Sequence, residues 1–520
     1  MRTRRFLLPL LAPVTALAGL WTCVVQGPNS SSSSGGSGGS GSSSSSGGSG
    51  SGSSGGSTHV TTTSSGTIHC TIDNGADPVG FCTQKLVLKA ENDVAFDATR
   101  GVARSWDWAT LALDQDASHM VRHDPLDDAA FSAAVALFLN SALTYGDNEI
   151  TSTMRSDLVK LAPMLMAELN PPPAGYAGEL YVDLRTTAGG YRFIARNDLA
   201  DAADAIADAY GRTIHDTYFA ALGGGDGGAP DGILGTPAAG GATAYAPGDV
   251  ATGALALIDM AVRHATDEPA HAAAWQHAAA RALGHLDARA RDPGTGLYFA
   301  ALVTSTDPGH DALAPAAASG PPADALLTDV AGRVALALTR AQALVTSNAG
   351  ALPALASLPL EARAEGLIAA LDTTPKSLWD ASGGPSVGTG GGGDAGTAGS
   401  GYFAGWVPST AELLTDKPTR ANALVMAALH RATIQGAPAD GARVVTLRRL
   451  FSNTTHPKTS LISVVPGQNG YFLQVPRSFD LAGADAGADS GTDPQRTSYF
   501  AQANADGIKA LSELWVGLPN

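Results

Sequence analysis

Two carboxylates stand side by side in "DPLDDAAFSAAVALF", at Asp127 and Asp128, each at the start of a helix-like stretch. Later acids take the same place: Asp249 opens "DVATGALALIDMAVRHA", Asp329 lies in the first turn of the stretch from 326, and Asp506 lies near the start of "NADGIKALSELW". Helix starts favour acids for a plain reason, because Asp and Asn oxygens accept the unpaired backbone N–H groups there. Several acids converging on one cavity offer something more. One can serve as proton donor while another acts as base or nucleophile. Other polar residues share those starts, namely Asn197, Asp198, Arg420, Asn422, Gln502 and Asn504.

Other chemistries find less support. His264, His271, His277 and His285 are separated by seven, six and eight residues, not by the four that would stack two ligands on one helix face. A solvated polar face accounts for them. His119 and His123 do stand four apart, which leaves a metal or proton-transfer role open there as the lesser reading. "GDGGAPDGILG" lacks the phased ligands of a calcium loop. No phosphate loop, dinucleotide fingerprint, nucleophile motif or haem motif occurs, so no cofactor and no metal is expected. The net charge of −16 excludes nucleic acid as the natural partner.

Elements must position these acids. Val250, Ala254, Leu257, Ile258 and Ala261 fall on one helical stripe, as do Leu326, Val330, Val334, Leu338, Ala341 and Val345. Leu199, Ala203, Ile206 and Tyr210 form another, and 419–434 and 504–515 behave likewise. One series of helices thus starts near 127, 198, 249, 326, 419 and 504. A second follows it, at 152–169, 213–222, 269–290, 360–372 and 441–451, and 96–117 is expected to supply the missing partner. Between helices, one shape recurs: "RARDPGTGLYFAAL" at 289–302, "YVDLRTTAGGYRFIA" at 181–195, "LWDASGGP…GSGYFAGW" at 378–406 and "VVPGQNGYFLQV" at 464–475. Gly supplies positive φ, Asp and Pro initiate the reversal, and Tyr or Phe packs on the rim. These are connectors rather than catalysts.

Six inner and six outer helices joined by short hairpins make an all-α (α/α)6 toroid, preferred over an open solenoid because the spacings vary. The connectors Asp292-Pro293-Gly294-Thr295-Gly296-Leu297-Tyr298-Phe299, with the echoes at Asp183…Gly190-Tyr191, Trp379-Asp380…Gly401-Tyr402-Phe403 and Gly470-Tyr471-Phe472, resemble the six-hairpin glycosidase-type toroids over roughly residues 90 to 520. The tandem Asp127-Asp128 resembles the catalytic pair of endo-α-mannanase-type members. The resemblance implies a carbohydrate-active enzyme, foremost a glycoside hydrolase, with Asp127 and Asp128 as first catalytic candidates and Asp249, Asp329 and Asp506 behind them. Poly- or oligosaccharide is the implied partner, with Trp406, Tyr245, Tyr499, Arg420, Asn422 and Gln502 as candidate contacts. Trp106 and Trp108 are better explained as core. A non-catalytic glycan-binding protein, a sugar isomerase and a polysaccharide lyase remain as alternatives.

The address lies at the N-terminus. Arg2, Arg4 and Arg5 precede an apolar run too short to span a bilayer, which is an export-signal pattern over 1–22. Cys23 then offers a lipidation site. A Gly/Ser-rich tether to about residue 60 cannot bury apolar surface and predicts a disordered leash. An exported, surface-anchored lipoprotein is expected, touching the membrane only through its lipid; free secretion is the alternative. In that oxidising setting Cys70 and Cys82, within 61–95, are expected to form a disulfide, ahead of the toroid at 96–520.

Overall fold

A computed structural model describes residues 125–144, 148–171, 176–222, 231–306, 309–314, 321–373, 375, 377–381, 400–415, 417–434, 443–444, 446–447 and 501–513. It also describes short strands at 58–62, 68–72, 96–97, 102–103, 106–107, 112–113, 463–467, 470–474, 478–479 and 498–499. The proposed signal, Cys23, Cys82, His119, His123 and Trp108 lie outside these residues. Cys70 sits in strand Ile68–Ile72, opposite Val60.

Ten helices carry the described fold. They are α1 (Pro125–Thr144), α2 (Asn148–Glu168), α3 (Gly178–Phe193), α4 (Asn197–Tyr218), α5 (Pro247–Arg263), α6 (Pro269–Arg289), α7 (Thr328–Ser347), α8 (Leu360–Thr373), α9 (Thr419–Ile434) and α10 (Ala501–Glu513). Helices α1, α3, α5, α7, α9 and α10 each pack on the next, and α10 closes onto α1. Around this ring, α2, α4, α6 and α8 back α1, α3, α5 and α7 in turn. The result is an (α/α)6 toroid.

Helix α5 shows why an inner helix is inner. From Val250 to Val262 every residue is buried, including Asp259, because partners crowd it on all sides. Outer α4 buries only the stripe through Ala203, Ile206, Ala207 and Tyr210 and leaves Asp201 and Ala205 in solvent. A one-sided stripe marks an outer helix and all-round burial an inner one.

Three expectations are corrected. The stretch from 198 is not the second inner helix but outer α4, so Asn197 and Asp198 open a helix of the outer layer; Asp198 is held by Arg196 on the surface. The second inner helix is α3, built from the segment read as a connector at 181–195. Its Gly190 is there for close packing: a Cβ would come within 2.4 Å of the Ala136 Cβ on α1. Finally, 96–117 contributes no helix among its described residues. It forms paired strands, and Trp106–Asp107 joins Ser498–Tyr499 ahead of α10.

The other three connectors are hairpins or bridges as expected. Arg291 pairs with Tyr298, Trp379–Asp380 with Gly401–Tyr402, and Ser463–Gly467 with Gly470–Gln474. In the first, Gly296 takes φ 77° and the Asp292 carboxylate accepts from the Thr295 N–H at 2.8 Å. Strands also tie successive inner helices together at one end. Thr243–Tyr245, ahead of α5, pairs with Leu302–Val303; Leu326–Leu327, ahead of α7, pairs with Gly405–Val407; Lys417–Pro418, ahead of α9, pairs with Ser478–Phe479. This belt gathers the N-termini of the inner helices on one face. Among the described residues no helix is long and apolar enough to cross a membrane.

Candidate functional site

The belt forces the first turns of the inner helices to face one another, and their charged residues meet across the bore. Glu179 opens α3, Asp249 lies in the first turn of α5, Asp329 in that of α7, Arg420 is second in α9, and Asp506 lies in α10. One turn deeper stand Asp183, Arg333 and Lys509. Such spacing puts 179 above 183 and 329 above 333 on the same helix faces. The positive end of each helix dipole favours the acids at the rim.

The pairs interlock. Arg333 reaches Glu179 through Nε at 2.8 Å and hydrogen-bonds Asp249 through its terminal nitrogen. Arg420 hydrogen-bonds the other Glu179 oxygen, lies 3.3 Å from Asp329 and 3.9 Å from Asp506. Lys509 bridges Asp183 at 3.1 Å and Asp506 at 3.2 Å. Five inner helices are thereby joined. Tyr176 closes the side of the site, donating its hydroxyl to the Asp249 carbonyl oxygen at 2.6 Å.

The acids do not share one environment. Burial pushes Asp329 above the ordinary carboxylate range; Arg420 and Arg333 oppose the shift, while the like charges of Glu179 and Asp506 add to it. Asp183 is raised by burial as well, against the pull of Lys509. For Glu179 burial also acts upward, but Arg333, Arg420 and Lys509 together overcome it and hold the carboxyl well below its usual range. Burial acts to lower Lys509, and Asp183, Asp506 and Glu179 overcome it, holding its ammonium above the usual value. Neighbouring carboxyls pushed in opposite directions are the arrangement that divides acid from base.

Part of the network, Glu179, Asp183, Arg333, Asp506 and Lys509, lines a cavity of about 70 Å³ whose other walls include Leu137, Val182, Leu255, Leu336 and Ala427. It has room for a few water molecules, not a sugar ring, since ligand pockets run to roughly 300–1,000 Å³. A saccharide would therefore meet the acids from the mouth.

The structure thus brings Asp249, Asp329, Asp506 and Arg420 together. Sequence reasoning missed Glu179, Asp183, Arg333 and Lys509. For Arg333 the signal was a charge set within an apolar run, "VAGRVALAL", because a charge so placed needs a partner; Glu179 and Asp183 lay in the segment read as a connector. Asp127 is half-buried and Asp128 is 1% exposed, so the second of the tandem acids is sealed from solvent. The side chains of Tyr499, Gln502 and Asn504 lie outside the described residues.

Three expected sugar contacts are committed elsewhere. Trp406 is 5% exposed within its strand. Fully buried Asn422 clamps the connector, accepting from the Tyr402 N–H at 2.7 Å and donating to the Tyr402 and Pro418 carbonyls. Tyr245 donates to Asp311 at 2.7 Å, inside a cluster that also takes in His285 and Arg289. His285 is therefore no part of a solvated face; it is 4% exposed. Around the α5–α6 turn, His264, Asp267 and Glu268 place one ligand atom each within 4.8 Å of one another, the described grouping closest to a metal site. Arg212 already holds Glu268 through both its oxygens.

Comparison with protein-family models and with curated proteins returns no match. Solved structures do match. A family 76 glycoside hydrolase from a bovine Bacteroides thetaiotaomicron strain is 11% identical, with TM-score 0.50, covering 86% of this chain and 83% of that one. An unsaturated glucuronyl hydrolase from Bacillus sp. GL1, responsible for glycosaminoglycan degradation, is 12% identical, with TM-score 0.48 and coverage of 85% and 96%. An inactive variant of the α-1,6-mannanase of Salegentibacter sp. HEL1_6, bound to α-1,6-mannotriose, is 11% identical, with TM-score 0.45 and coverage of 84% and 98%. This chain shares the (α/α)6 toroid fold of that family 76 hydrolase.

Proposed function

We propose that this protein is an exported carbohydrate-active enzyme, a glycoside hydrolase working with paired carboxylates at the mouth of the ring. One observation carries the reading: burial favours the protonated form of Asp329 inside an ion-pair network that holds other carboxylates beside it. Asp329 donates its proton to the leaving glycosidic oxygen. Asp249, oriented by Arg333 and with 27% of its side chain open, is the partner carboxylate that acts as base or nucleophile. Asp506 and the tandem Asp127-Asp128 stand behind them. A family 76 glycoside hydrolase of the same fold supports the reading at the level of the fold alone. The export-signal pattern, Cys23 and the Gly/Ser run support a lipid-anchored location at the cell surface.

A second reading, glycan capture without catalysis, has its own support. Asp249, Asp329 and Asp506 already lie against arginine or lysine, and Tyr245 and Trp406 are buried. An isomerase or lyase is less well served. Those call for a histidine or tyrosine base, and burial pushes the Tyr176 hydroxyl well above its usual range while its proton is given to a carbonyl.

The test is sugar release from a panel of plant, fungal and bacterial polysaccharides by the protein and its Asp329→Asn, Asp249→Asn, Asp127→Asn and Asp128→Asn variants. Loss of about 10²–10⁴-fold in Asp329→Asn supports the hydrolase and its proton donor. Undiminished release in Asp329→Asn moves the chemistry elsewhere. Glycan binding without release by any protein favours capture.

A further inference from the structure

Among the described residues the cations at the mouth are all engaged. Arg333 lies between Glu179 and Asp249, Arg420 reaches Glu179, Asp329 and Asp506, and Lys509 holds Asp183 and Asp506. Arg340, deeper in the bore, is engaged too. Five acids thus meet three bases in the described network, within a chain of net charge −16. Glu179 is the common element. It gives one oxygen to Arg333 and the other to Arg420, so a single side chain engages both of these guanidinium groups.

Consider what a saccharide meets there. Sugar hydroxyls donate, and the carboxylates of Asp249 and Asp506 have acceptor capacity beyond their ion pairs. A uronate or sulfate ester brings one more negative charge. It finds both guanidiniums occupied, and it approaches acids that already crowd one another. Juxtaposed like charges of this kind weaken association across an interface.

We infer that Glu179 is a specificity-determining residue: by locking Arg333 and Arg420 against anions, it makes the mouth select uncharged glycans over uronate-bearing or sulfated ones. The inference rests on the carbohydrate reading above and adds the charge class of the substrate. It also assigns Glu179 a role apart from proton transfer, consistent with its place between two guanidiniums.

Binding, rather than turnover, tests it. Calorimetric titration of the whole protein at low salt would compare length-matched neutral and uronate oligosaccharides, mannotriose and trigalacturonate among them. The tightest ligand should be neutral, with uronates weaker by about tenfold or more. Glu179→Gln, which frees one charge on the guanidinium pair, should strengthen uronate binding by about tenfold and lose that gain in high salt. A uronate bound by the wild type as tightly as the best neutral glycan overturns the inference and leaves the carbohydrate reading standing. Absence of binding to every saccharide overturns both. The wild-type comparison decides the matter by itself if the variant does not fold.

Discussion

Two charged clusters in this ring are built from similar parts and differ in closure. At the periphery, the Asp311 carboxylate is fully buried and complete. It accepts from Tyr245 at 2.7 Å, from the Ser305 N–H at 3.1 Å and from Arg289 at 3.1 and 3.2 Å, and it lies 2.7 Å from His285 Nε2. These partners pin the belt sheet to outer helix α6. At the mouth, acids outnumber bases, Asp329 keeps 32% of its side chain open, and part of the network lines a cavity. Burial acts upward on both Asp311 and Asp329. At Asp311 the hydrogen bonds from His285, Tyr245 and Ser305 overcome it and hold the carboxyl down at about 2. At Asp329 nothing of that strength does, and the carboxyl stays high. Completeness of the shell, not burial alone, separates a pin from a site that can exchange a proton.

The same substitution in both clusters puts the contrast to the test. Asp311→Asn should cost about 3–5 kcal/mol in denaturant unfolding, because it breaks the fully buried side of an ion pair and leaves half-buried Arg289 without its counter-charge. Asp329→Asn should change stability by about 1 kcal/mol or less, since a partly open ion pair contributes little and the change relieves repulsion from Glu179 and Asp506. Equal costs at the two positions would collapse the distinction.

The pH dependence is smaller and of opposite sign. Asp311 has a folded pKa below its unfolded one, so its contribution is full above the ordinary carboxylate value and is lost as pH falls toward about 2. Wild type and Asp311→Asn should therefore converge in stability on acidification. Asp329 has a raised folded pKa, so its contribution is present below the ordinary value and is lost as pH rises through the folded one. Stability of Asp329→Asn relative to wild type should improve across that rise, and unfolding curves taken on both sides of it measure the change. Sugar release should fall along the same alkaline limb in the wild type as the proton donor ionises.

Much of the fold was legible in the sequence. The stripes through Val250 and Val334 named helices α5 and α7, and the Asp-Pro-Gly-Thr-Gly turn named its connector. The places of Asp249 and Asp329 in the first turns of α5 and α7 were also legible, by the plain rule that helix starts favour carboxylates. The clean stripe of 198–210 misled, because one-sided amphipathicity looks like a core helix until the layer outside it is known. The Gly189-Gly190 of α3 misled in the other direction. Glycine serves a turn and a close helix crossing alike, and only Ala136 on the neighbouring helix tells which.

What the sequence by itself determined was local: which segments coil, where they stop, and which acids begin them, since each follows from periodicity, glycine and backbone hydrogen bonding within a few residues. Tertiary structure decided the rest. Whether Tyr245 faces a sugar or Asp311, whether Asp128 meets solvent, and which acid keeps its proton all depend on groups far apart in the chain. Glu179 and Arg420 are 241 residues apart and share a hydrogen bond. Burial and charge are properties of what surrounds a residue, and only closing the ring supplies those surroundings.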